Sequence, residues 1–346
     1  MEKVKQEHFT IDEAGTWFII LAVVFLTLGA YVQTRELISG LLITEFGIVA
    51  LPTFIYAILK GKNVKAVYRF KKIPSSAILK ILGIAALMIP VVAVANLITL
   101  FFIELLGTSI PSSVPTASTS FEYILLFAVI AGSAGLCEEL FFRGVILNAY
   151  EHALGRKWGA IFSGVLFGIF HFNPQNLFGP ILLGILFAYL VQVTGSIWAG
   201  VIAHTANNGI AVTAGYLINI ASPATSMETD MAFSSPATIV GVAIFYLVLA
   251  VLCFMGLRTL LKQLDRQFQP KPKLYEFSSR DLPAEMAVVM SDEVSDVEML
   301  AETKFVSVYE EYRTKQKIKL TPRLLSPIYV SLILYALIIY VAYFKS

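Results

Sequence analysis

Six polar or charged residues lie inside long apolar stretches in the middle of the chain. They are Glu138, Glu139, Arg143, His171, His204 and Asn208. A charged side chain at the centre of a bilayer costs about 2.5–3.5 kcal/mol on insertion scales, so three unpaired charges would cost roughly 7–10 kcal/mol. We therefore expect these side chains to face one another or to line a polar cavity within the membrane.

The spacing of the three charged residues separates them into a pair and a single acid. Glu139 and Arg143 are four residues apart, so both lie on one face of a helix and can form an ion pair. Glu138 is rotated about 100° from Glu139 around the helix axis. Arg143 is thus predicted to neutralise Glu139, and Glu138 is left available as a general base.

Two histidines follow, each four residues from a further motif residue. Phe167 precedes His171 and His204 precedes Asn208, so each pair shares one helix face. The chain has only four histidines, and these two fall in apolar helices just after the acids. No Ser-His-Asp or Cys-His arrangement competes for a nucleophilic role, because Cys137 lies on a different helix face from the acids.

The elements that must position these residues are predicted to be transmembrane helices. Hydrophobic residues make up 57% of the 346 residues and charged residues 14%, against about 25% charged residues in a soluble domain. A spanning helix needs about 20 apolar residues. Apolar runs occur near 15–33, 37–59, 77–104, 121–149, 158–173, 177–193, 196–219, 237–257 and 326–344. The sequence therefore predicts an all-α fold, a polytopic transmembrane helical bundle of about eight or nine helices.

The runs divide the chain into five segments. Residues 1–120 hold the N-terminal transmembrane helices, residues 121–219 a catalytic transmembrane core, and residues 220–257 a further transmembrane helix. Residues 258–324 are first basic and then acidic, which is typical of a partly disordered cytoplasmic linker; a docking or regulatory role is the alternative. Residues 325–346 are predicted to form a C-terminal transmembrane helix.

Lysine and arginine are concentrated in the loops on one side of the membrane in this predicted topology. Residues 60–72 carry six of them and residues 258–324 a second large group, whereas residues 107–120 and 220–236 carry none. Cytoplasmic loops are enriched in these residues. We therefore expect a multi-pass integral protein with a cytoplasmic N-terminus, in a bacterial plasma membrane and in contact with membrane lipid. The net charge of +2 gives no bulk basic signal for nucleic acid.

The motif residues resemble those of a family of membrane proteases. Residues 138–143 read EELFFR and match EExxxR, Phe167 to His171 matches FxxxH, and His204 to Asn208 matches HxxxN. In this order on successive predicted membrane helices, the three motifs resemble the CPBP family, which comprises CAAX proteases and bacteriocin-processing enzymes and is also called Abi.

By this resemblance, which covers about residues 120–215, the chain is an intramembrane endopeptidase acting on membrane-associated or lipidated peptide substrates. Glu138 would activate the hydrolytic water, with His171 orienting that carboxylate or the water. His204 and Asn208 would support the tetrahedral oxyanion. Amide hydrolysis needs such a base and such donors.

A metal ion is an open alternative at this site. Glu138, His171 and His204 are side chains of the kind that bind catalytic zinc, and members of the family are often described as metalloproteases. The sequence has no HExxH motif. Both a metal-dependent and a glutamate-only mechanism fit the residues. A further acid inside the second predicted helix, Glu45, is interpreted as structural or cavity-lining.

Two other classes of function place acids and histidines within a membrane. An ion-coupled transporter relays protons through such residues, and a non-catalytic membrane scaffold retains the fold without the chemistry. Transporters are commonly built from inverted repeats, and no repeat is evident in this sequence. The three motifs on adjacent helices favour the protease.

Overall fold

The computed structural model describes residues 8–105, 115–221, 236–269 and 322–344. Within these ranges the regular structure is entirely helical, which confirms the all-α fold. The described helices are α1 (Ile11–Arg35), α2 (Leu37–Leu59), α3 (Ser75–Leu105), α4 (Ser120–Leu154), α5 (Arg156–Phe170), α6 (Phe178–Thr194), α7 (Ile197–Ala221), α8 (Pro236–Phe268) and α9 (Pro322–Phe344). Their bounds follow the apolar runs closely, except that α8 continues about ten residues beyond the predicted end near residue 257.

Five of the described helices are long and apolar enough to cross a membrane. They are α1, α2, α3, α4 and most of α8, and two further apolar stretches, Phe178–Thr194 and Leu324–Leu337, are shorter. The protein is therefore an integral membrane protein. The total of eight or nine spans stays a prediction, as do the five segment boundaries. Residues 270–321 of the predicted linker lie outside the described residues.

Helix α4 begins and ends at residues suited to those positions. The Thr119 side chain accepts a hydrogen bond from the Glu122 backbone N–H at 3.2 Å, which satisfies a donor that the first helical turn leaves unpaired. The helix ends at Gly155, where φ is +81°, a conformation that glycine adopts at little cost. Between these ends, π-helical stretches at Phe127–Ser133 and Phe142–Leu147 flank the turn that carries the Glu pair.

Helices α5 and α6 approach each other through glycines, as their small residues predict. A Cβ atom on Gly184 would lie 2.7 Å from Cα of Gly164, and one on Gly164 would lie 2.5 Å from the backbone N of Ile185. Small residues allow membrane helices to approach this closely. The contact brings the carbonyl of Gly184 within reach of α4.

The basic loop after α2 contacts the N-terminal segment and the end of α4 at one end of the bundle. Lys62 Nζ lies 3.0 Å from both the His8 carbonyl oxygen and Glu13 Oε2. Arg69 Nη2 lies 2.5 Å from Glu151 Oε2. The N-terminal segment, the loop after α2 and the end of α4 therefore share this end.

The described residues next to the two loops that lack Lys and Arg meet at the opposite end. Asn219 Nδ2 donates to the Ala117 carbonyl oxygen at 2.9 Å, and the hydroxyls of Ser120 and Tyr216 are 3.1 Å apart. Residues 106–114 and 222–235, which make up most of these loops, lie outside the described residues.

The last helix packs within the same compact unit as the catalytic core, although a long segment separates them in sequence. The Tyr150 hydroxyl donates to the Leu324 carbonyl oxygen at 3.0 Å. Tyr335 lies against Phe172, with ring centroids 5.6 Å apart. Helix α9 therefore packs against the segment that follows His171.

Candidate active site

The ion pair predicted from the four-residue spacing on α4 is present. Arg143 Nη1 donates to Glu139 Oε1 at 2.7 Å, and Arg143 Nη2 donates to the Gly184 carbonyl oxygen at 2.8 Å. Glu139 is 0% and Arg143 1% exposed. Full burial is tolerated because each charge has a partner of opposite sign or a hydrogen-bond acceptor.

His204 joins this ion pair, which differs from the grouping expected from the sequence. Its Nδ1 atom lies 3.1 Å from Glu139 Oε1, whereas the sequence analysis grouped His204 with Glu138. The reason is the crossing of α7 over α4 on the face that carries Glu139. Gly200, one turn before His204, has no side chain, and the Glu139 carboxylate occupies that space.

Two phenylalanines enclose the charged cluster. The guanidinium carbon of Arg143 lies 4.8 Å from the ring centre of Phe167 and 5.4 Å from that of Phe187. The His204 ring is 5.4 Å and 5.1 Å from the same two rings. Phe187 could not be predicted from the sequence, because nothing distinguishes it from the other phenylalanines of the apolar helices.

His171 lies just beyond the last residue of α5, with its ring 4.9 Å from that of Phe167. Its Nδ1 atom is 2.9 Å from the Phe167 carbonyl oxygen. A carbonyl can only accept, so Nδ1 donates this hydrogen bond; in the neutral form of the ring, Nε2 is then an acceptor. The next residue, Phe172, has φ of +47°, an uncommon conformation for a bulky residue.

Asn208 connects α7 to the first π-helical stretch of α4. Its Nδ2 atom donates to the Ile130 carbonyl oxygen at 3.1 Å, and its Oδ1 atom accepts from Asn207 Nδ2 at 3.3 Å. The amide group has two N–H donors. One of them is therefore left for another acceptor.

Glu138 points to a different environment from Glu139. Its Oε2 atom is buried and has no hydrogen-bond partner among the described residues. Its carboxylate interacts electrostatically with Glu45 of α2. Glu45 is interpreted from the sequence as a structural or cavity-lining residue. Its interaction with Glu138 makes this more specific, because Glu138 is the acid predicted to activate water.

The predicted site residues fall into linked groups and not into one hydrogen-bonded set. Glu139, Arg143 and His204 form the buried ion cluster, whereas Glu138 interacts electrostatically with Glu45. His171 is connected to the ion cluster through the ring of Phe167.

The possible zinc ligands are Glu138, His171 and His204. Within the described ranges, no three His, Cys, Asp or Glu side chains lie close enough together to hold a metal ion. His204 directs Nδ1 to Glu139, so Nε2 is its one ring nitrogen left to bind a metal. The donor set as arranged does not fit a zinc site.

Two apolar grooves border the helices that carry the motifs. One, of about 1040 Å³, lies between α2 and α4 and includes Leu136 and Leu140, in the same two turns as the Glu pair. The other, of about 810 Å³, is lined largely by α7, with Thr205 and Gly209 next to the His204–Asn208 turn. Both are wide enough for an alkyl or isoprenoid chain.

A comparison with family models matches the segment that contains the whole site. Residues 120–210 match the Rce1-like family, described as type II CAAX prenyl endopeptidase. This core segment is thus similar to the CAAX protease family. The match includes all six motif residues, and it confirms the resemblance that the three motifs indicated.

One curated relative supports the same assignment. The protein named "Putative membrane peptidase YdiL" of Bacillus subtilis (strain 168) is 28% identical over 92 residues, which are 26% of this chain and 38% of the relative. The alignment thus covers well under half of either protein. No solved structure matches the chain.

Proposed function

We propose that the chain is an intramembrane endopeptidase that hydrolyses peptide bonds of membrane-associated or lipidated substrates. The observation that carries this proposal is the match of residues 120–210 to the CAAX endopeptidase family. The fully buried cluster of Glu139, Arg143 and His204 within that segment supports it. Buried charges in a membrane helix are costly and usually functional.

Water activation is assigned to Glu138. Its unpartnered Oε2 atom is free to accept a proton from a water molecule. His171 supplies a second acceptor, because its Nδ1–H is held by the Phe167 carbonyl and Nε2 carries the lone pair. A water that donates to both groups presents its own lone pair to the substrate carbonyl carbon.

Oxyanion stabilisation is assigned to His204 and Asn208, one turn apart on α7. Asn208 has an amide hydrogen beyond the one donated to Ile130. His204 directs Nδ1 to Glu139, so it can donate from Nε2 as an imidazolium, which the Glu139 carboxylate stabilises. Hydrogen-bond donors that are already in place around a developing negative charge lower the activation free energy strongly.

Arg143 and Glu139 act through their neighbours and not on the substrate. Arg143 ties Glu139 to the α6 backbone at Gly184. Glu139 in turn fixes the ring of His204. This is a supporting role that keeps the donor in place.

Substrate binding is assigned to the apolar grooves beside α4 and α7. A lipid-modified or membrane-embedded peptide reaches the site laterally from the bilayer through such grooves. Prenylated peptides are the substrate class that the family description names. We include them as the first substrates to test.

The proposed steps use no metal ion, because Glu138, His171 and His204 are not arranged as a ligand set. The glutamate-only alternative is therefore the one we propose. We place the protein in a bacterial plasma membrane with its N-terminus in the cytoplasm, on the basis of the basic loop after α2, which contacts the N-terminal segment and the end of α4.

The cellular test compares strains that differ only in this protein. A deletion strain is complemented with wild type, Glu138→Gln or Glu122→Gln, and membrane proteins are compared by mass spectrometry. Glu122 is exposed and distant from the site, so Glu122→Gln is the matched control. We expect uncleaved precursors to accumulate in the deletion and Glu138→Gln strains and to be absent from the other two.

Restoration of normal processing by Glu138→Gln would contradict the assigned base. Ion-coupled solute flux by the purified protein, with no precursor accumulating in any strain, would favour the transporter alternative instead.

A further inference from the structure

A second buried acid lies beside the proposed active site, on a helix outside the segment that matches the family. Glu45 is in the π-helical stretch Ile43–Ala50 of α2. Its side chain is 6% exposed, and this stretch packs against Ala134–Phe141 of α4. Buried polar groups normally have hydrogen-bond partners, so an acid at this position calls for an explanation.

Glu45 and Glu138 share one property. The Oε2 atoms of both are buried and have no hydrogen-bond partner in the described part of the chain. The two carboxyl groups lie close enough to interact electrostatically. The titratable groups around them are Cys137, which interacts with both acids, and Arg143, which is already paired with Glu139.

Two ionised carboxylates are unstable at such a position. Coulomb repulsion increases as the dielectric constant falls, and no cation is hydrogen-bonded to either free oxygen. One proton shared by the two groups removes the repulsion, as in proteases that use a pair of aspartates. Glu45, when it carries that proton, can donate it to the oxygen of the water whose hydrogens go to Glu138 and His171.

We propose that Glu45 is a second catalytic carboxyl group, which holds the hydrolytic water together with Glu138 and shares one proton with it. The inference rests on the proposed protease function. It extends the site to α2, which the three motifs do not include.

Before the reaction, the Glu45–Glu138 pair holds one proton, which is on Glu45. As water attacks, one O–H bond breaks, its proton moves to Glu138, and the oxygen bonds to the carbonyl carbon. The C=O electron pair moves to the oxygen and forms the oxyanion. When C=O re-forms and C–N breaks, the leaving nitrogen takes one proton from the pair. The products are a carboxylic acid and an amine, and the pair again holds one proton.

The kinetic test uses the full-length protein in phospholipid vesicles. The probe is a quenched fluorogenic peptide with a prenylated cysteine. Glu45→Gln keeps the size of the side chain but cannot exchange the proton, and Glu122→Gln is the control. We expect kcat of Glu45→Gln to fall about 100-fold, the lower end for general acid–base catalysis, with little change in KM.

An infrared measurement tests the shared proton without substrate. The wild-type protein should show the C=O stretch of a protonated carboxylic acid, which Glu45→Gln removes and Glu122→Gln keeps. Glu45→Gln should also be at least as thermally stable as wild type, because an unpartnered acid has been replaced by a neutral group. This excludes misfolding as the cause of lost activity.

The outcomes separate the two proposals. Cleavage lost in Glu138→Gln but equal to the control in Glu45→Gln overturns the role of Glu45 and leaves the protease. The absence of the infrared band from the wild type also overturns the shared proton. If the wild type cleaves neither the probe nor any cellular precursor, the proposed function fails, and the role of Glu45 in catalysis fails with it.

Discussion

Glu139 holds two partners through one oxygen atom, Arg143 at 2.7 Å and His204 at 3.1 Å. The carboxylate therefore connects α4 to α7 within the buried core. Because the two assigned oxyanion donors both lie on α7, the position of Glu139 controls where they point. Small displacements of this side chain should thus affect activity more than they affect folding.

Gly200 gives a direct way to displace Glu139. A Cβ atom at position 200 would collide with Glu139 Oε2. We expect Gly200→Ala to destabilise the protein by about 1–3 kcal/mol, as is usual for overpacking, and to lower peptide cleavage by at least about 10-fold. Thermal unfolding and cleavage rates measure the two effects.

The control for this substitution is Gly241→Ala on α8. A Cβ atom there meets nothing within 4 Å. It should leave activity unchanged. Equal activity in the two alanine variants would show that the space at Gly200 does not control the site.

Arg143 is expected to be needed for stability more than for any chemical step. Arg143→Met leaves Glu139 buried with only His204 as a partner, and breaking a buried ion pair costs about 3–5 kcal/mol. The double variant Glu139→Gln/Arg143→Met has no unpaired charge and should recover much of that loss. A double variant as unstable as Arg143→Met would argue against the ion pair. Chemical denaturation in mild detergent provides the measurement.

Some of this site follows from spacing and some does not. The pairing of Glu139 with Arg143 is set by one helical turn, so the sequence predicts it. The contact of His204 with Glu139 depends on how α7 crosses α4, and spacing along one helix carries no information on that crossing. Glu45 was recognisable as a misplaced acid, but its neighbour on another helix was not.

At the scale of elements, the helices agree with the apolar runs because their length is set by bilayer thickness. The π-helical stretches could not be predicted, since they depend on packing. They occur at Phe25–Gly29 in α1, at Ile43–Ala50 in α2 and on both sides of Ala134–Phe141 in α4. The last three contain or border the three acids. Such irregular turns are frequent at functional sites.

A buried lysine contributes to the attachment of the N-terminal segment to the bundle. Lys62 contacts the His8 carbonyl oxygen and Glu13, and its Nζ lies 4.7 Å from the ring centre of Phe9. We expect Lys62→Met to destabilise the protein by about 1.5–3 kcal/mol, the value of hydrogen bonds to a charged group. Melting temperatures of the purified variants test this.

Lys65→Met is the matched control, because Lys65 is exposed in the same loop. Its melting temperature should equal that of wild type. A similar loss in both variants would show that loop charge, and not the buried contact, is responsible.

At the scale of the whole molecule, the two ends of the bundle differ in charge. The loop after α2 carries six Lys or Arg residues, and the described part of the loop before α4 carries none. In a background with Cys137 and Cys253 replaced by serine, Lys65→Cys should be protected from an impermeant thiol reagent in intact cells. Ser118→Cys should react. The reverse pattern would place the N-terminus outside.

The site lies within the membrane part of this molecule, on helices whose ends the sequence locates well. The family match extends over residues 120–210, whereas α2 packs against the part of α4 that carries the Glu pair and α9 contacts Phe172. Sequence comparison of the core segment therefore gives the motif residues but omits Glu45 and Tyr335. Their places depend on long-range packing.

The most direct test is hydrolysis by the reconstituted protein. Wild type, Glu138→Gln and Cys137→Ser are placed in phospholipid vesicles with the prenylated quenched peptide in ¹⁸O-labelled water, and products are measured by mass spectrometry. We predict a new carboxyl terminus containing one ¹⁸O with wild type and Cys137→Ser, and at least about 100-fold slower formation with Glu138→Gln. Equal rates for wild type and Glu138→Gln, or loss of cleavage only in Cys137→Ser, would contradict the account.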